Sequence, residues 1–519
     1  MLLLVAAVLA APGGAAPGSP SPAGHVTPTS ARALMAAVED HLSHEGPDSC
    51  LTPLVNELKL RADELTPAER AWATSALMPW KSDLLAPVAP LRSTPPPPAA
   101  FASEPCFSLG ENRITSAHFA VEWDTGTISE GTAEDFLAAL EEGYTVEVDE
   151  LGWKAPLQND DYLVLAYVQD GNYQGAYTTV ESCGRGFVPY MVAYAGSFSN
   201  RSWAETMAVH ELNHALQFGY GFAWEFWWWE ATATYIGGVV YPNADWWAYY
   251  ASGYSNNPHL AFNASDQEDQ DIFWHMYGMG IWGAYLDEYV GGPETILATW
   301  EAGEGAGGTY TYGMADAFRD LDLDFDVAYT DFIVRNTVMD YADQDAIPNV
   351  DERAAIDNLP DSDEVDGSSR PQGYGQTYIR FEQEAGEGDL VVTFEGDEDV
   401  PWSVQLVEVT RDEILRVVVA DIVDGVGTVT LPDFGAEDVV LVASPLKDGD
   451  TKYGFTWSAE LVEPVVVEED PEGTDGTETV GGKDDDDVEV HAACSTSGSG
   501  VGMGMSVLVG LAGLIRRRK

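Results

Sequence analysis

Basic residues are scarce in this chain. Its 519 residues carry 24 Lys and Arg against 86 Asp and Glu, a formal net charge of −62. No basic patch exists outside Arg516-Arg517-Arg518-Lys519. That argues against a nucleic-acid partner, which needs clustered cations to neutralise phosphates. A strongly negative surface keeps a chain soluble and disfavours anionic surfaces. It suits an extracellular, saline or calcium-containing medium. Cysteine is nearly absent, at four residues, so disulfide use is limited. No clear apolar run reaches the ~20 residues of a spanning helix, and no internal repeat is evident. Calcium is a further candidate cofactor, because the acidic runs Asp320–Asp326 and Asp361–Gly367 offer carboxylate oxygens. Neither has EF-hand spacing, and a solvated loop is the plainer reading of each.

The ends of the chain point to export. Leu2–Ala11 is a short apolar run followed by small residues and Pro12. It reads as a signal peptide over 1–18 with cleavage near Ala16, although a basic n-region is missing. An acidic, low-complexity linker spans 465–493, including Asp484–Asp487. Cys494 follows, then small residues, the apolar stretch Val501–Ile515 and the basic tail. With Ser495–Gly500 added, that stretch is barely long enough to span a membrane, and its basic tail would stay cytoplasmic. The globular part is then exported and anchored at the cell surface or outer membrane, with release into the medium as the variant.

Between the ends, residues 19–100 form a helical module, either a propeptide or an accessory piece. Its expected helices are Ala31–Leu42, Leu54–Leu65 and Pro67–Met78, the last capped by Thr66. Pro87–Pro98 is a Pro-rich, extended linker. The region 101–345 mixes strands (His118–Trp123, Tyr162–Val168, Phe187–Tyr194) with an amphipathic helix over Thr132–Val148. Helices Ile281–Val290 and Ala315–Arg319 follow. Residues 346–372 read as an acidic linker. Over 373–464, seven short apolar or alternating runs separated by Gly and Asp turns predict a β-sandwich.

The most informative five residues are His210-Glu211-Leu212-Asn213-His214, in the helix-compatible stretch Ala204–Phe218. Positions i and i+4 share one helix face, so both imidazoles can grip one metal ion with Glu211 beside them as general base. Ser202 with Glu205 reads as a capping box at the helix start, and Gly219 as a left-handed terminator. A core helix carrying two histidines is the plainer alternative. A catalytic zinc takes three protein ligands and one water. Downstream, in Trp224-Glu225-Phe226-Trp227-Trp228-Trp229-Glu230, Glu230 is the better third ligand, because a carboxylate in an apolar helix needs a partner. Glu225 competes but lies nearer the turn, where solvent reaches. The tryptophans are chiefly packing. Tyr235, Tyr277, His259 and His275 are candidate donors to a developing oxyanion; Tyr277 is favoured, against the plain reading of a tyrosine in a helix interface.

H-E-x-x-H followed by E-x-x-A is the pattern of the gluzincins. His210–Tyr220 and Trp229–Tyr235 resemble a family of secreted bacterial metalloproteases, as do Met276–Gly291, its next helix, and His118–Trp123, its opening strand. The resemblance covers about 106–343. It implies an α+β zincin-like catalytic domain, metal ligands His210, His214 and Glu230, a base at Glu211 and one catalytic zinc. The run Cys494, apolar span, Arg cluster resembles the MYXO-CTERM type of sorting signal, which implies surface anchoring through Cys494. The strands of 373–464 resemble the pre-peptidase C-terminal type of domain.

In a zincin an edge strand near the metal helix binds extended substrate, and Phe187–Tyr194 is the expected one. With Cys494 as anchor, Cys50, Cys106 and Cys183 leave one disulfide and one thiol, with three pairings open. A thiolate from Cys50 or Cys106 occupying the zinc site in a latent form is conceivable, though nothing around either residue marks it out. The expected activity is hydrolysis of peptide bonds in protein substrates by a zinc-activated water, with contact to the cell envelope through the C-terminal segment. A noncatalytic surface adhesin on the same scaffold is the alternative, and a zinc hydrolase of nonpeptide amides a third.

Overall fold

The stretch Leu163–Val168 is apolar at every position, which suits a strand buried on both faces. The computed structural model describes residues 30–43, 50–88, 90–91, 102–184, 186–266, 269–306 and 311–463. In it, this stretch lies at the centre of a five-stranded sheet. The strands are β1 (Asn112–Thr115), β2 (Phe119–Trp123), β3 (Val164–Gln169), β4 (Ala176–Cys183) and β5 (Gly186–Tyr194), in the order β1-β2-β3-β5-β4. β2, β3 and β5 run parallel, and the two outer strands are antiparallel to their neighbours.

The period-two alternation of strand side chains divides the core. Val121, Val164, Ala166 and Met191 face helices α4 (Glu130–Tyr144) and α5 (Arg201–Gln217), meeting Phe136, Leu140, Val209 and Leu212. Leu165, Tyr177, Tyr190 and Val192 face the opposite way. There they meet Leu34, Leu54, Leu58 and Leu77 of α1 (Ala31–Ser43), α2 (Thr52–Leu60) and α3 (Pro67–Leu77). The N-terminal helices therefore form one layer of the fold. α3 starts at a full capping box: Thr66 accepts from the Glu69 amide, the Glu69 carboxylate accepts from the Thr66 amide, and Pro67 takes the first turn. A disulfide joins Cys106 to Cys183 at the far end of β4, and Cys50 is a buried free thiol.

Several sequence expectations need correction. Phe187–Tyr194 lies inside the sheet, because the β4–β5 hairpin folds Ala176–Cys183 to the outside as the edge. α4 is capped by Ser129, whose hydroxyl accepts from the Thr132 amide, so Thr132 lies inside the helix. α5 is capped by Asn200, two residues before Ser202, and Glu205 pairs with Arg201 instead. The left-handed residue after α5 is Gly221 (φ 101°), because Gly219 and Tyr220 continue the turn onto Leu216 and Gln217.

After α5 come α6 (Phe226–Val240), α7 (Ala244–Ser255), α8 (Gln270–Gly278), α9 (Gly280–Tyr285), α10 (Pro293–Gly303), α11 (Met314–Asp320) and α12 (Phe325–Arg335). They share the aromatic-rich core of α4 and α5. The C-terminal β unit has two sheets, one of β6 (Ala354–Ile356), β8 (Thr377–Phe381), β10 (Trp402–Val409), β11 (Ile414–Val419) and β13 (Asp438–Pro445). The other holds β7 (Asp361–Val365), β9 (Gly388–Gly396), β12 (Val426–Phe434) and β14 (Phe455–Val462). Phe381, Leu406 and Leu441 of the first sheet share a core with Phe394, Leu431 and Trp457 of the second.

The expected linker 346–372 carries β6 and β7. β7 pairs on one side only, with β14, and leaves its acidic side chains in solvent, so its composition suits an edge strand as well as a loop. Among the described residues no helix is long and apolar enough to cross a membrane. The signal segment, most of the Pro-rich linker, the 465–493 linker and Cys494 with its tail lie outside the described residues.

The first β sheet also buries Tyr378, Val407 and Val440 against the helices. A polar network crosses that seam. Tyr329 donates to the Tyr374 carbonyl (2.6 Å) and accepts from Gln376 Nε2 (2.8 Å), and Gln376 Oε1 accepts from Tyr254 (2.8 Å). Tyr329→Phe removes two of these hydrogen bonds, although Gln376 Nε2 still donates to the Tyr374 carbonyl, and stability should fall by about 1 kcal/mol. Denaturant unfolding should register this as one cooperative transition including the β unit.

Candidate metal centre

α5 is buried along nearly its whole length, so the polar side chains it carries inward must be matched within the protein. His210 and His214 project from one face, and α6, folded back after the turn at Gly221, brings Glu230 against them. The two Nε2 atoms are 3.1 Å apart. Glu230 Oε2 is 3.2 Å from His210 Nε2, and Oε1 is 3.3 Å from His214 Nε2. Donors about 2.0–2.1 Å from a tetrahedral zinc stand roughly 3.3–3.4 Å apart. The three observed separations lie at or slightly below that figure, with the two histidines facing different oxygens of Glu230. Neither oxygen of Glu230 accepts a well-formed hydrogen bond.

The ring polarity of His214 follows from its neighbours. Gln217 Nε2 donates to Asn213 Oδ1 and to the Trp229 carbonyl, so Gln217 Oε1 is the acceptor facing His214 Nδ1 at 2.7 Å. Nδ1 therefore carries a proton, which leaves Nε2 as the atom that can meet a metal. Asn213 in turn donates to Glu147, which is buried in the wide turn after α4 and whose carboxyl burial pushes well up. Gln217→Leu should weaken metal affinity about 10–100-fold, read by competition against a chromophoric chelator. Trp229 stacks on His214 and Tyr277 on His210, so aromatic faces wall the imidazoles.

Burial by itself raises the Glu230 carboxyl, but His214 and His210 outweigh it and hold it at about 2. His214 is pulled down by burial and raised overall by Glu230. Two imidazole nitrogens and a carboxylate converge on one buried point. The chemistry of the donors and their spacing fit a divalent metal ion.

Glu211 stands outside this donor set. Its Oε2 accepts from Thr178 (2.7 Å) and Thr52 (3.2 Å), and its Oε1 has no partner among the described groups. Tyr277 lies at the site, donating its hydroxyl to the Cys50 carbonyl at 2.8 Å. Tyr235 turns instead to Asp287, and His275 packs near Tyr254. Glu225, expected in solvent, is buried at the start of α6 and accepts from Trp227 Nε1 (2.8 Å).

Sequence reasoning missed one donor. The Cys50 sulfur joins His210, His214 and Glu230, all four ligand atoms lying within 4.8 Å of one another. Burial, with Glu211 and Glu230 nearby, pushes its thiol well up. No such set forms at the acidic runs. Asp324 caps α12, Asp326 accepts from Tyr374, Asp320 accepts from Tyr312, and Asp361–Val365 is an extended strand.

No family model matches the chain, and no curated protein matches it. Among solved structures, residues of the chain are similar to the "pre-Peptidase C-terminal Domain of Collagenase from Bacillus anthracis" at 9% identity and a TM-score of 0.16. The match covers 22% of this chain and 100% of that domain.

Proposed function

We propose that this chain is an exported zinc-dependent endopeptidase of the gluzincin kind, with a zincin-like catalytic region, a C-terminal β-sandwich and an anchor at 494–519. The observation that carries the reading is the state of Glu211. It lies next to the donors yet outside them, with one oxygen pinned by two threonines and the other unbonded. A site that merely holds an ion has no use for that carboxylate. A mixed sheet with an antiparallel edge strand, an H-E-x-x-H helix and a following helix with Glu230 support the zincin assignment.

When bound at His210, His214 and Glu230, zinc supplies Lewis acidity, polarising a carbonyl and acidifying water. Glu211 accepts the proton of the attacking water at its free oxygen and returns it to the leaving amine. Thr178 and Thr52 keep its other oxygen from rotating into the donor set. The Tyr277 hydroxyl is the nearest side-chain donor for an oxyanion once it releases the Cys50 carbonyl. Backbone groups of β4 pair with an extended substrate.

The test is zinc analysis with casein digestion, on the wild-type chain and on Cys50→Ser, because Cys50 sits among the donors. Stoichiometric zinc and chelator-sensitive cleavage by at least one form are expected. Zinc in both and cleavage by neither would overturn the peptidase reading, leaving an adhesin or a nonpeptide amidase.

A further inference from the structure

The open edge of β4 is already filled. Leu51 donates its amide to the Ala176 carbonyl (2.7 Å), and Thr52 Oγ1 accepts from the Thr178 amide (2.7 Å). Asn56 Nδ2 donates to the Thr178 carbonyl (2.9 Å) and its Oδ1 accepts from Thr179 (2.7 Å). Lys59 donates to the Val180 carbonyl (2.9 Å), and Lys81 pairs with Glu181 (2.7 Å) in a buried ion pair. The groups an extended peptide would use are thus met, one after another, by residues 51–59. The same segment puts Thr52 on Glu211, the residue-50 carbonyl on Tyr277, and the Cys50 sulfur within 4.8 Å of the other three ligand atoms.

We infer that residues 50–59 are an inhibitory segment: Cys50 occupies the coordination position that catalysis needs open, while α2 lies along the substrate edge. The inference rests on the reading that His210, His214 and Glu230 hold a metal. A catalytic zinc keeps one position for solvent, and a fourth protein donor converts it to the closed, structural type of site. The Cys50 side chain lies beside Glu211 as well as the three donors, so one side chain obstructs metal position and base together. Glu230 is fully buried, neither of its oxygens accepts a well-formed hydrogen bond, and its ligand atom lies within 4.8 Å of the Cys50 sulfur. A free cysteine packed for its volume alone has no reason to meet three such donors. Opening the site then requires residue 50 and the start of α2 to leave; the rest of the N-terminal layer can stay on the sheet.

The full-length protein, stripped of metal and loaded with Co(II), tests this. Wild type should show an intense thiolate-to-cobalt band in the near ultraviolet that Cys50→Ser lacks. Matching spectra would overturn the ligand assignment. Asn56→Ala with Lys59→Ala leaves the thiol in place but cuts its tether to β4, and covers the case in which Cys50→Ser folds poorly. In the Co(II) form of that double variant, iodoacetamide should alkylate Cys50 at least tenfold faster than in wild type; an unchanged rate would overturn the tether. Casein cleavage should rise at least tenfold in Cys50→Ser, and equal, measurable cleavage by both forms would overturn the inhibitory role. A band lost in Cys50→Ser supports the ligand whether or not casein is cut. Absence of cleavage from every form counts against the peptidase reading alone.

Discussion

Glu211→Gln, placed in the Cys50→Ser background, should lower casein hydrolysis by roughly 10²–10⁴-fold, the range for loss of a positioned general base. Zinc content should not change. Glutamine has the size and shape of glutamate, so the helix packing around a 1% exposed residue is preserved. Its amide oxygen can still accept from Thr178 and Thr52. What it cannot do is take a proton from water at the oxygen that is unbonded in Glu211. The ligands His210, His214 and Glu230 remain, since Glu211 is not one of the converging donors. The comparison thus separates ion holding from proton transfer, and the fall should appear in kcat more than in KM. Equal hydrolysis by the two proteins would remove Glu211 from the mechanism.

How far the sequence anticipates this centre depends on the range of each interaction. His210 and His214 meet through the i, i+4 geometry of one helix, and Gln217, three residues beyond His214, follows the same rule and was there to be found. Glu230 is legible because a carboxylate inside an apolar helix has to be matched. Thr52 and Glu211 are 159 positions apart, and no local pattern announces such a contact. Cys50 is missed for the same reason, together with the edge of β4 that its segment covers. The identity of that edge depends on a hairpin reversing strand order, which apolar runs alone do not encode. Helix starts fail by two or three residues where several capping residues compete, as Asn200 does with Ser202 and Ser129 with Thr132. Asp361–Val365 misleads because acidic composition reports exposure, which an edge strand and a loop share.

Glu230→Gln should have the largest effect on the protein itself, for reasons that do not depend on catalysis. Glu230 is wholly buried, and the neighbouring imidazoles hold its carboxyl at about 2 although burial opposes ionisation. The carboxylate is therefore the charge that lets His214 and His210 carry a cation, or a proton in its absence, inside an apolar shell of Trp229, Trp246 and Tyr277. The amide keeps the volume and removes that charge. In the metal-free protein, breaking a buried pair by removing one partner costs about 3–5 kcal/mol, a large share of the stability of an ordinary domain. With metal, a direct ligand is lost, so affinity should fall further than the roughly 10–100-fold given by an outer partner such as Gln217. Two measurements check this: thermal unfolding with and without added zinc, and zinc stoichiometry after gel filtration. The wild type should gain a large zinc-dependent rise in Tm and Glu230→Gln little of it, since stabilisation by a ligand scales with its affinity for the folded state. If Glu230→Gln bound zinc as tightly as wild type, the carboxylate would be a packing residue and the two histidines would need another third partner, with Cys50 the only further donor in the described cluster.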